Sequence, residues 1–124
     1  MNPFHLDMTD IGRLVSRKDL RSLVAALNSE EKDLRWMAAG GLGELRDLQA
    51  VDPLIHALSD PDPDLRGKAA EALGSIGDAR ATGALIPLLS DPDGTVRLQA
   101  IWALGKIRDP RATAQIVHCL SDAD

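Results

Sequence analysis

The sequence predicts an all-α protein, a right-handed α-α superhelix built from helix pairs that repeat every 31 residues. Three observations carry this: apolar columns that stay in phase along the chain, helical spacing inside each copy, and turn chemistry that returns at fixed offsets. Leu23, Leu54, Leu85 and Ile116 form one column, and Leu27, Leu58, Leu89 and Leu120 another. Leu42, Leu73 and Leu104, then Gly43, Gly74 and Gly105, continue the register. Chance does not hold so many columns in step.

The chain divides into an N-terminal cap, residues 1–16, and repeats over about 17–47, 48–78 and 79–109, with a half repeat at 110–124. The repeat phase would place Asp7 and Asp10 at core positions, where a carboxylate is costly to bury, so the first segment is not a full repeat. A short helix near Thr9–Val15 is expected there. It would turn Ile11, Leu14 and Val15 to the first repeat and Asp7, Asp10 and Arg13 to water.

The second repeat is the clearest copy. Its first helix, helix A, runs about Val51–Ser59 and buries Leu54, Ile55 and Leu58. In the turn Asp60-Pro61-Asp62-Pro63, Asp62 can cap free amides and Pro63 suits the first helical position. Helix B follows, with Leu65, Ala69, Ala72, Leu73 and Ile76 on one face. Gly77 can take a left-handed terminal conformation, and Asp78 can cap what comes next. The phase sets the three B helices near 32–45, 63–76 and 94–107. Pro87 falls inside the third helix A, about Ala81–Ser90, where it predicts a bend.

These residues, Asp60-Pro61-Asp62 through Leu65-Arg66, Ala69-Ala70, Ala72-Leu73-Gly74 and Ile76-Gly77-Asp78, resemble the HEAT-like repeats of the phycobilisome-lyase type. Asp91 to Asp109 restates the pattern and Asp33 to Asp47 is a looser copy, so the resemblance spans roughly residues 20–124. It implies the α-solenoid fold, a helix-B surface that lines the concave side, and Asp–Arg ties between neighbouring repeats. Family members include bilin lyases, nucleic-acid binders and scaffolds, so it leaves the function open.

Composition narrows the field. A chain of 124 residues with 44% hydrophobic content can fill a core, chiefly with Leu, Ile, Val and Ala. A net charge of −5 argues against a nucleic-acid or anionic-membrane partner, because either rewards a positive face. One cysteine cannot form an internal disulfide, and no apolar run approaches a membrane span or a signal-peptide core, which points to a reducing cytoplasm.

Little in the sequence has the pattern of catalysis, and the reading is of a protein that is not an enzyme and carries no cofactor. His56 and His118 share a column but lie two repeats apart, too far at roughly 10 Å per stacked pair to share a metal. Cys119 has no partner of metal-ligand spacing. Gly40-Gly41-Leu42-Gly43 has the glycines of a phosphate loop but falls inside a helix, so it reads as small residues permitting close helix contact. The Arg35, Arg66 and Arg97 column could in principle follow a phosphate backbone. Its place at the flank of the buried stripe, beside the Asp-rich turns, favours ion pairs between repeats.

The tryptophans differ. On the helix-B wheel the columns of Trp36 and Trp102 point away from the buried stripe, and exposed indoles are what protein interfaces use as anchors. The candidate binding face comprises Trp36, Met37, Lys68, Glu71, Leu98, Gln99, Trp102 and Lys106. Mixed charges around apolar anchors suit a protein or peptide. The leading expectation is therefore a protein- or peptide-binding scaffold, the alternatives a bilin-lyase-like enzyme component or a nucleic-acid-binding module. A second candidate surface is the C-terminal edge. Ile116, Val117, Cys119 and Leu120 sit where earlier repeats are buried, which predicts cover by a second copy in a homodimer, or by further repeats.

Overall fold

A computed structural model describes residues 6–121, apart from the side chains of Cys119 and Leu120. Eight α-helices follow in order among these residues: α1 (Met8–Ser16), α2 (Leu20–Ala26), α3 (Lys32–Leu45), α4 (Val51–Ala57), α5 (Pro63–Ile76), α6 (Thr82–Leu85), α7 (Gly94–Ile107) and α8 (Thr113–Ser121). Helices α3, α5 and α7 occupy the spans that the repeat predicts for helix B. They stack side by side, with α1 and α2 against α3 at the N-terminal end.

Local chemistry explains the boundaries. Asp62 and Asp93 cap α5 and α7 by accepting from Asp64 N, and from Thr95 N and Val96 N, while Pro63 opens α5. Helix α1 begins with a reciprocal capping box, Asp10 N donating to Asp7 and Asp7 N to Asp10. Its Ile11 is buried. Each helix B ends on a left-handed residue: Gly77 at φ 78°, but Arg46 at 54° and Arg108 at 59°. The two arginines hold a conformation that a Cβ disfavours.

The second half of each turn departs from the expectation of a direct helix start. Asp47, Asp78 and Asp109 cap 3-10 turns at Leu48–Ala50, Ala79–Ala81 and Pro110–Ala112, and helix A follows from those turns. The bend expected at Pro87 takes a definite form: α6 stops at Leu85 and the chain continues as a 3-10 segment over Ile86–Ser90. Proline has no N–H to give the carbonyl four residues back.

The core is a continuous strip of small and branched apolar side chains. Leu23, Leu54 and Leu85 from the A helices and Leu42, Leu73 and Leu104 from the B helices are fully enclosed. Between B helices the approach is closer still. A Cβ on Gly43 would lie 2.9 Å from Ala72 Cα, and one on Gly74 2.8 Å from Ala103 Cα. Glycine facing alanine is what admits backbones at this separation.

Ion pairs lock one repeat to the next, as the arginine column predicts. Arg66 forms a two-pronged bridge to Asp91, Nε to Oδ2 at 2.9 Å and Nη2 to Oδ1 at 3.0 Å. Its Nη1 donates to the carbonyls of Asp60 and Pro61 in its own turn. Arg35 is a looser version, 4.0 Å from Asp60, with Nη1 donating to Ser29 O. Arg46 donates to Ser75 O, and Arg80 to Leu48 O, tying exposed turns across repeats.

Candidate functional site

The B helices expose one open groove of about 840 Å³. Helix periodicity positions its walls. Residues one turn apart on α3, α5 and α7 point to the same side, so Trp36, Lys68, Glu71, Trp102 and Lys106 converge there with Met37. Trp36 is 44% exposed and Trp102 41%, placing each indole half on the protein and half in water.

Cations order both rings. Lys68 Nζ of α5 lies 4.5 Å from the centroid of Trp36 on α3, a contact that crosses between repeats. Lys68 also sits 3.5 Å from Glu71, one turn along its own helix. Lys106 Nζ lies 5.7 Å from the Trp102 ring, with both residues on α7. Gly40 makes room for the first arrangement, since a Cβ there would meet Lys68 Cε at 3.0 Å. Arg46, Glu44 and Ser75 complete the polar rim. Three cations against two carboxylates leave the groove mildly positive in a chain of net charge −5.

Two of the candidate residues fall elsewhere. Leu98 and Gln99 do not line the groove. Gln99 Cγ would be 3.7 Å from a Cβ on Gly67, so it covers the neighbouring helix, while Leu98 is 69% exposed beyond it. The groove has a wall that the sequence did not reveal: Ile11, Gly12, Val15 and Ser16 of α1. No periodic signal marks it, because α1 lies outside the repeat and its docking angle is set by tertiary contact. Of the C-terminal candidates, Ile116 is half-buried and Val117 57% exposed, and the side chains of Cys119 and Leu120 lie outside the described residues.

The site holds no cluster suited to a metal; among the described residues no three His, Cys, Asp or Glu side chains converge. His56 is an exposed helix-face residue bordering a different hollow, between α2 and α4. No helix among the described residues is long and apolar enough to cross a membrane.

Stacked helix pairs, arginine ties between repeats and a groove on the B-helix side define the class: a helical solenoid scaffold. The HEAT-repeat family model matches residues 20–86 and 60–124, and the chain belongs to that family, as a HEAT-like repeat protein of the phycobilisome-lyase type. Among solved structures it is similar to a chain of the CpcE–CpcF complex of phycocyanin lyase from Nostoc sp. PCC7120, at 34% identity and a TM-score of 0.79. That match covers 84% of this chain but 42% of the other, so the chain spans less than half the length of this relative. An engineered protein shares the fold at 24% identity and a TM-score of 0.66, over 92% of this chain and 56% of that one. No match was found among curated proteins.

Proposed function

We propose that the chain is a non-enzymatic scaffold module that grips a protein or peptide in the helix-B groove, with residues 17–124 as the binding array and 1–16 as its cap. One observation carries the reading: two half-exposed indoles, each attended by a lysine, open into the same groove. Indoles held in this way offer large apolar area at small entropic cost, and the lysines supply hydrogen bonds at the rim. The mild positive charge favours a segment carrying carboxylates. The net charge of −5 speaks for a protein partner over nucleic acid, and the makeup of the chain suits a cytoplasmic setting.

The test is affinity capture from native lysate, wild type beside a Trp36→Ala/Trp102→Ala double variant, followed by titration of the captured partner. Each truncation should cost on the order of 2 kcal/mol, about thirtyfold in affinity. A partner that binds both proteins equally overturns the assignment.

A second reading has a specific observation behind it, the 34% identity to a chain of the phycocyanin-lyase complex. In it the chain is a component of a bilin-attaching enzyme. Mixing with a bilin and recording its absorbance separates the readings, since a pure protein-binding module leaves the spectrum unchanged. A nucleic-acid module, the third reading, would be retained on heparin in a salt-sensitive way.

A further inference from the structure

Three contacts hold the ammonium of Lys68 inside the groove. Its Nζ lies 4.5 Å from the centroid of the Trp36 ring, Glu71 Oε2 stands 3.5 Å from it, and its stem passes over Gly40, where a Cβ would meet Cε at 3.0 Å. The Glu71 contact is longer than a good hydrogen bond, and an ammonium has three N–H groups to donate. Part of each side chain stays open to solvent, so a second carboxylate can reach Lys68.

Glu71 also has a particular place between the indoles. On α5 it is three residues beyond Lys68, and Gly74 is three residues beyond it, about 4.5 Å along the axis at each step. The Trp36 ring borders the first of these positions, and the Trp102 ring the last, with Cζ3 2.8 Å from a Cβ on Gly74. A charged carboxylate therefore stands between two apolar anchors, restrained by an i, i+3 ion pair of a kind that adds little to helix stability. The ring position over Trp36 at which a ligand cation would bind is already taken by Lys68. What the groove can still receive is negative charge beside apolar surface.

We propose that Glu71 is an internal stand-in for a ligand carboxylate. The groove takes a peptide segment with an aspartate or glutamate flanked by apolar residues; its carboxylate displaces Glu71 from Lys68 while its apolar neighbours lie on Trp36 and Trp102. This rests on the groove being a peptide site, and it adds the residue class selected and the side chain that sets the selectivity. Glu71 repels an incoming acid until the exchange occurs, so a carboxylate without apolar flanks gains little. A segment with lysine or arginine at that position meets the Lys68 ammonium and is rejected.

The probe is an array of short immobilised peptides of randomised sequence, incubated with the labelled full chain. Bound peptides should be enriched in Asp or Glu beside Leu, Ile, Phe or Trp, and depleted in Lys and Arg. The best binder is then made with a fluorescein label and titrated by anisotropy. Glu71→Gln should tighten it about twofold or more, since the competing pair is lost. Lys68→Met, which keeps the stem over Gly40, should weaken it about tenfold or more. Lys68→Arg should retain most of the affinity. A peptide with its acid replaced by the amide should bind more weakly and no longer respond to Glu71→Gln. Binding that needs Trp36 and Trp102 but shows no acidic enrichment, or ignores Glu71→Gln, overturns the stand-in and leaves the groove reading in place. Enrichment of basic peptides overturns it too, and would make the indoles a cage for cations. An array with no bound peptide, or binding that survives Trp36→Ala/Trp102→Ala, overturns the groove reading and the stand-in together.

Discussion

Gly74 and Gly105 occupy one column of the repeat, yet alanine at the two positions should have opposite effects. A methyl at Gly74 would lie 2.8 Å from both Ala103 Cα and Trp102 Cζ3, and 3.0 Å from Ala103 Cβ. Ordinary carbon contacts begin near 3.5 Å, so α5 and α7 must separate by roughly 0.7 Å or distort. One of the obstructing atoms is backbone, and no rotamer change relieves it. Overpacking of this kind costs about 1–3 kcal/mol, offset by the roughly 1 kcal/mol that alanine gains over glycine inside a helix. Gly74→Ala should therefore lose up to about 2 kcal/mol and lower Tm by up to about 8 °C for a domain of this size. Gly105→Ala meets no atom within 4 Å and keeps only the helix preference, which should raise Tm by about 3 °C. Circular dichroism at 222 nm during thermal melting reads both. If the two variants shift Tm in the same direction, close B-helix approach is not what the glycine column serves.

Further outcomes follow from the same geometry. Arg108→Gly should stabilise by about 1 kcal/mol in urea denaturation, because it relieves a left-handed arginine at φ 59°. Leu73→Ala, which empties a fully enclosed site, should cost about 2–5 kcal/mol. Trp36→Ala should cost clearly less, and a Tm loss equal to that of Leu73→Ala would move the indole from the groove to the core. The Arg66 hydrogen bonds hold the Asp91 carboxyl below its ordinary value, outweighing its partial burial. A depressed folded-state value means that this contribution is complete above about pH 4 and is lost as pH falls through the folded value. Arg66→Met should then destabilise the protein at neutral pH and flatten the fall in stability below pH 4; an unchanged acid limb would remove the pair from the account.

Helices α5 and α7 were legible because independent signals coincide at their ends, an Asp-Pro turn, an apolar stripe and a terminal glycine or its substitute, while α3, which opens after Ser29-Glu30-Glu31, was legible from the 31-residue phase. The arginine ties were legible too, since a charge at the flank of a buried stripe has few partners other than the aspartates of adjacent turns. The 3-10 turns before the A helices left no mark, because three residues bonded i to i+3 rather than i to i+4 use the same side chains. Arg46 and Arg108 hid their left-handed backbones, which only Gly77 advertised. In the groove, the outward direction of Trp36 and Trp102 followed from the helical wheel. The contribution of α1 and the departure of Leu98 and Gln99 did not, because a wheel drawn for one helix omits the neighbours that decide what a side chain finally faces.

The glycine-to-alanine contacts also act as a hinge pin for the whole stack. They draw the B helices together along one side, while the A-helix side carries leucines, isoleucines and the proline-broken segment over Ile86–Ser90, which need more room. A column of wedges thinner on one face must arch. The radius of that arch fixes how far Trp36 stands from Trp102, so the span of the groove is governed by Gly43 and Gly74, whose mutation could retune the length of segment gripped without altering any side chain that touches it.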